Sequence, residues 1–93
     1  MDWDDVSYVL RSKTRKAVLI SLEHPKTPTS VARELGISTP NVSRALRELR
    51  ERRLIVSLTP TARSGKLLQV TQQGRLISAQ LKALADQEVQ NSG

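Results

Sequence analysis

The chain has 93 residues, enough for one domain with one modest core, and carries 15 Lys plus Arg against 9 Asp plus Glu, a formal charge of +6. It has no Cys, which excludes disulfides, thiolate metal sites and a Cys nucleophile. The basic balance favours a polyanionic partner, while the absence of Phe beside a lone Trp3 and a lone Tyr8 argues against the aromatic platforms that stack single strands.

The first residues, Met1-Asp2-Trp3-Asp4-Asp5, are acidic where a secretory signal is basic, and no apolar run approaches membrane-spanning length. A cytoplasmic location is the expectation. Asp2 is placed to cap a short helix over residues 3–11, with Trp3, Val6, Val9 and Leu10 falling on one side. Ser12 caps a second helix running to about residue 22. Its segment Ala17-Val18-Leu19-Ile20 is apolar nearly all round, which predicts a place at the centre of the core.

Two prolines, Pro25 and Pro28, break the chain there, and His24 beside them reads as a surface residue rather than a ligand. Thr29 is expected to cap a helix over 30–35, stopped by Gly36. Ser38 or Thr39 caps the next helix, over 39–52, with Pro40 in its first turn, where a missing N–H costs nothing. Strands are predicted at 55–58 and 66–70, joined by a loop with the basic tip Arg63-Ser64-Gly65-Lys66. Thr71 caps a last helix to about residue 89, striped with Leu76, Ile77, Leu81 and Leu84, and residues 90–93 read as a tail.

The informative stretch is TSVARELGISTPNVSRALRELRERRL, over 29–54. It reads helix, glycine turn, helix, the helix-turn-helix pattern whose second helix can enter a major groove. Val42, Ala45, Leu46 and Leu49 give that helix an inward stripe. At about 100° per residue, Pro40, Ser43, Arg44 and Arg47 lie opposite it. Arg matches guanine O6 and N7; Thr39, Asn41 and Ser43 can meet bases or phosphates, and Arg50, to one side, suits phosphate. Glu48 and Glu51 are spaced to pair with Arg44 and Arg47 along the helix.

At this point the chain resembles the winged-helix regulators of the ArsR/MarR type. LGISTPNVSRALRELRERRLI is similar to the family's LGIS-x-x-x-VS-x-x-L-x-x-L-x-x-x-x-LV signature, LLQVTQQGRLI to its segment after the wing, and RSKTRKAVLISL to the helix that opens many such domains. The resemblance implies a recognition helix over 39–52, a wing over 55–70, and backbone or minor-groove contacts from Arg63 and Lys66. It departs at Arg53, where the family often has Gly, and in lacking the Cys ligands of the metal-sensing branch.

The fold class that follows is mainly α with a small β-hairpin. One winged helix-turn-helix domain spans 1–93, with extra helices at 1–11 and 71–89 around a core at 12–70. The expected function is sequence-specific double-stranded DNA binding in transcription regulation. The alternatives are a winged-helix protein–protein module and a non-specific architectural DNA binder. The run of arginines at positions 44, 47, 50, 52 and 53 weighs against the first. No catalytic set, metal site or cofactor loop is present in the sequence, so no enzyme activity, metal or cofactor is expected, and no pattern identifies a small-molecule effector. The apolar stripes of the outer helices, Trp3, Val6 and Leu10 with Leu76, Ile77, Leu81 and Leu84, predict a homodimer interface.

Overall fold

The computed structural model describes residues 3–61 and 66–91. Asp2, the expected first cap, and Arg63, at the wing tip, lie outside them. Five helices and a two-stranded antiparallel sheet follow one another as α1 (Trp3–Leu10), α2 (Lys13–Ser21), α3 (Pro28–Leu35), α4 (Thr39–Glu51), β1 (Ile55–Ser57), β2 (Leu68–Val70) and α5 (Gln72–Asn91). The helix order, the hairpin and the added end helices are those the sequence predicts. Both strands are shorter than expected, and α5 runs through Gln90 and Asn91, which the sequence reading had assigned to a tail.

Local chemistry sets the boundaries. Ser12 has extended backbone, and its Oγ accepts from the Arg15 N–H at 3.2 Å, opening α2. The cap of α3 is Thr27, not Thr29: Thr27 Oγ1 accepts from the Ser30 N–H at 3.2 Å, and Pro28 takes the first helical position. Pro28 therefore starts a helix instead of breaking one, because its fixed φ suits that position and its missing N–H has no intrahelical partner to lose. Ser38 precedes α4 but makes no side-chain cap bond.

α3 ends on Gly36 at φ 65°, and α4 ends the same way on Arg53 at φ 60°. After Arg53 the Leu54 N–H returns to the Leu49 carbonyl and the Arg53 N–H to the Arg50 carbonyl, both at 3.0 Å. These are the paired bonds of a Schellman stop, here built on a residue with a Cβ.

β1 and β2 pair with Ile55 opposite Val70 and Ser57 opposite Leu68. Lys26 adds an antiparallel bridge on the far side of β2, exchanging backbone bonds with Leu68 at 2.9 and 2.8 Å. The segment read as a simple break thus anchors the hairpin to the α2–α3 connection. Thr71 caps α5, accepting from the Gly74 N–H at 3.1 Å and donating to the Arg53 carbonyl at 2.8 Å.

One core joins these elements. Val18, Leu19 and Leu22 of the α2 region meet Val31, Val42, Leu49, Leu54 and Ile55, all essentially inaccessible. α2 is central, but Ala17 and Ile20 remain half-exposed, so only Val18 and Leu19 of its apolar run are enclosed. Val6, Val9, Ile77 and Leu81 belong to the same core. Val6, Ile77 and Leu81 are each 1% exposed and therefore cannot offer an interface between copies while the chain holds this fold.

Candidate nucleic-acid interface

α4 is held from beneath. Val42, Ala45, Leu46 and Leu49 are buried against α2 and α3, while Thr39, Pro40, Asn41, Ser43, Arg44, Arg47 and Arg50 are exposed. The periodicity that fixes the buried stripe also fixes what is left outside. Arg44 and Arg47 enter no ion pair among the described residues. Glu48 does not restrain Arg44: it lies 3.5 Å from Arg15 Nη1 on α2. That geometry leaves the guanidinium groups of α4's outer face free to meet a ligand.

Two open clefts flank this face. On one side Ser43, Arg47 and Arg50 share a cleft with Pro28, Lys66 and Leu68, so the base of the wing reaches α4 through Lys66. On the other, Asn41, Arg44 and Glu48 share a cleft with Ser12 and Thr14 at the start of α2. A larger hollow of about 520 Å³ lies elsewhere, over Ala17, Ile20 and Leu35, with His24 at its rim. His24 is exposed, and no cluster of potential metal ligands occurs among the described residues.

Behind α4 sits a polar assembly that the sequence reading did not find. Asp5 on α1 is 5% exposed, and it accepts from Arg52 Nη1 at 3.0 Å and from Gln73 Nε2 at 2.6 Å. The Tyr8 ring lies between two guanidinium groups, Arg15 at 3.9 Å and Arg52 at 4.0 Å from its centroid. Arg52, although part-exposed, is thus engaged by Asp5 and Tyr8 at the end of α4, unlike Arg44 and Arg47. The partners are separated by 47 and 68 positions, so no local spacing announces them.

A helix-turn-helix whose second helix presents an exposed basic face, followed by a hairpin that reaches back to it, defines a winged-helix protein, and its fold is of the MarR type. The chain belongs to the HVO_A0261 N-terminal domain family, whose model matches residues 3–91. No curated protein sequence matches it.

Among solved structures it is similar to the adhesin competence repressor AdcR from Streptococcus pyogenes. The TM-score is 0.74 at 19% identity, covering 87% of this chain and 61% of that one. A double mutant of Lactococcus lactis ZitR matches at a TM-score of 0.69 and 27% identity, over 88% of this chain and 62% of that one. Streptococcus pneumoniae FabT, solved in complex with DNA, matches at 0.72 and 24% identity, over 86% and 58%. The chain therefore spans less than two thirds of the length of these three relatives. No helix among the described residues is long and apolar enough to cross a membrane.

Proposed function

We propose that the protein is a sequence-specific double-stranded DNA-binding transcriptional regulator. α4 enters the major groove, and the wing, through Arg63 and Lys66, lies on the backbone or in the minor groove. The observation that carries this reading is the outer face of α4: Arg44 and Arg47 stand exposed, unpaired among the described residues and opposite the buried stripe. A solved relative bound to DNA supports it. Thr39, Pro40, Asn41 and Ser43 fill the first turns of the helix, the part that reaches base edges, and Arg50 faces the flank, where phosphates lie.

The test is a titration of Arg44→Ala and Arg47→Ala against a duplex selected by the wild-type protein from a random-sequence library. Where the lost side chain makes a bidentate guanine contact, affinity falls by about 1–3 kcal/mol and one base position relaxes. Wild-type affinity in both variants would take α4 out of the reading role. Equal weakening on selected and unrelated duplexes would favour an architectural binder.

A further inference from the structure

The run Arg11-Ser12-Lys13-Thr14-Arg15-Lys16 at the α1–α2 junction holds four cations and no carboxylate. Arg15 is consumed by Glu48 and Tyr8. Arg11 and Lys13 are exposed and enter no ion pair among the described residues. The function proposed above assigns them nothing.

Their place relative to α4 gives them a role. Around the helix, the residues facing the wing cleft (Ser43, Leu46, Arg47, Arg50) and those facing the α2 cleft (Asn41, Arg44, Ala45, Glu48) are centred roughly 160° apart. The two clefts are opposite flanks of one helix, with Pro40, Arg44 and Arg47 projecting between them. A major groove about 12 Å wide is bordered by a phosphate backbone on each side, so a helix lying in it has phosphates at both flanks. Lys66 serves the wing flank. On the other flank Arg44 shares its cleft with Ser12 and Thr14, and the cations Arg11 and Lys13 sit beside these in the chain at the α1–α2 junction.

The electrostatics of that flank are consistent with an anion. The carboxylate lining the cleft, Glu48, is offset by Arg15. Ser12 Oγ satisfies the Arg15 N–H, so the N–H groups of Lys13 and Thr14, at the positive end of α2, have no intrahelical acceptor. Ser12 and Thr14 line the cleft itself.

We infer that the α1–α2 junction is a second duplex-backbone contact surface, in which Arg11 and Lys13 neutralise phosphates on the side of α4 away from the wing. The inference rests on α4 entering the major groove. It widens the interface from helix and wing to three elements, with α4 straddled by basic flanks.

The experiment measures binding of wild type, Arg11→Ala/Lys13→Ala, Lys13→Arg and Lys66→Ala to two probes by fluorescence anisotropy over a range of salt. One probe is a mixed-sequence duplex and the other is the duplex selected from a random library. The double variant is expected to melt like wild type, since both side chains are exposed. It should weaken on both probes alike, by about tenfold per lost contact near 0.1 M salt, and flatten the slope of log K against log salt by about 1.8. Lys13→Arg should keep the wild-type slope, and Lys66→Ala should flatten it independently.

A double variant with wild-type affinity and slope, beside a weakened Lys66→Ala, overturns the inference and leaves the helix-and-wing reading standing. Weakening confined to the selected duplex, at unchanged slope, overturns it in favour of base contact. Failure of the wild type to bind either duplex overturns the reading on which it rests, and the inference with it.

Discussion

Arg53 and Gly74 show how single positions shape the turn that follows α4. Arg53 sits at φ 60° in a stop where glycine is the unstrained choice. Its identity is visible in the sequence as a departure from a familiar pattern. In the structure the helix ends where a glycine would end it, and the backbone carries the cost. Arg53→Gly is therefore expected to stabilise the fold by about 1 kcal/mol, raising the melting temperature by roughly 4–8 °C. Arg53→Lys keeps both the charge and the left-handed backbone and should melt like wild type. An unchanged melting temperature in Arg53→Gly would mean that the αL conformation costs nothing here. Gly74 has the reverse logic. A Cβ there would lie 2.0 Å from the Leu54 carbonyl oxygen, a backbone atom already accepting the Thr71 N–H at 3.0 Å. Gly74→Ala must push α5 away from the turn after α4, and a loss of about 1–3 kcal/mol in a denaturant melt is expected.

At the scale of elements, the assembly around Asp5 and Tyr8 ties α1 to the end of α4 and the start of α5. Asp5→Ala removes the acceptor of two side-chain donors, Arg52 and Gln73. Because Arg52 is itself 39% exposed, water recovers part of the loss, and about 1–3 kcal/mol is expected. In a double-mutant cycle with Arg52→Ala the two losses should fall short of additive; full additivity would show that the pair is energetically uncoupled. The same assembly marks the limit of what the sequence makes legible. Buried stripes, the Gly36 stop, the Ser12 and Thr71 caps and the exposed face of α4 are written in spacings of three or four residues, and they can be read directly. The Thr27 cap was hidden because Pro28 reads equally as a breaker or a starter until the preceding backbone is known. The Glu48 partner was misplaced because an i, i+4 neighbour on the same helix competes with Arg15 on another. Asp5 with Gln73, and Lys26 with Leu68, join distant positions through tertiary packing alone, and no local pattern specifies them.

The whole molecule decides how the terminal helices are used. The apolar stripes of the terminal helices predict a dimer interface from Trp3, Val6, Leu10, Leu76, Ile77, Leu81 and Leu84, but amphipathic stripes do not say which of two apolar neighbours they meet. Val6, Ile77 and Leu81 are spent inside the chain's own core, and Leu84 is half-buried. What remains outside is Trp3 at 63%, Leu10 at 45% and Leu76 at 54% exposure. Trp3 and Leu10 lie seven residues apart on α1, hence on one face, and Leu76 is exposed on α5. These three are the exposed apolar positions of the terminal helices that are proposed to meet a second copy across a two-fold axis. Leu76→Glu places a charge there without touching the core, whereas Leu81→Glu would bury one in the core and unfold the chain. Sedimentation equilibrium should find the wild type dimeric and Leu76→Glu monomeric, with helical circular dichroism preserved. Two-fold symmetry then requires an inverted-repeat operator with half-site centres about 34–36 Å apart, or a multiple of that, and Leu76→Glu should lose most of its affinity for the full repeat while binding a single half-site as the wild-type protomer does. A wild type that is monomeric at micromolar concentration and selects a DNA site without internal symmetry would remove the dimer and the palindrome together, leaving Trp3, Leu10 and Leu76 as ordinary exposed residues of a monomeric reader.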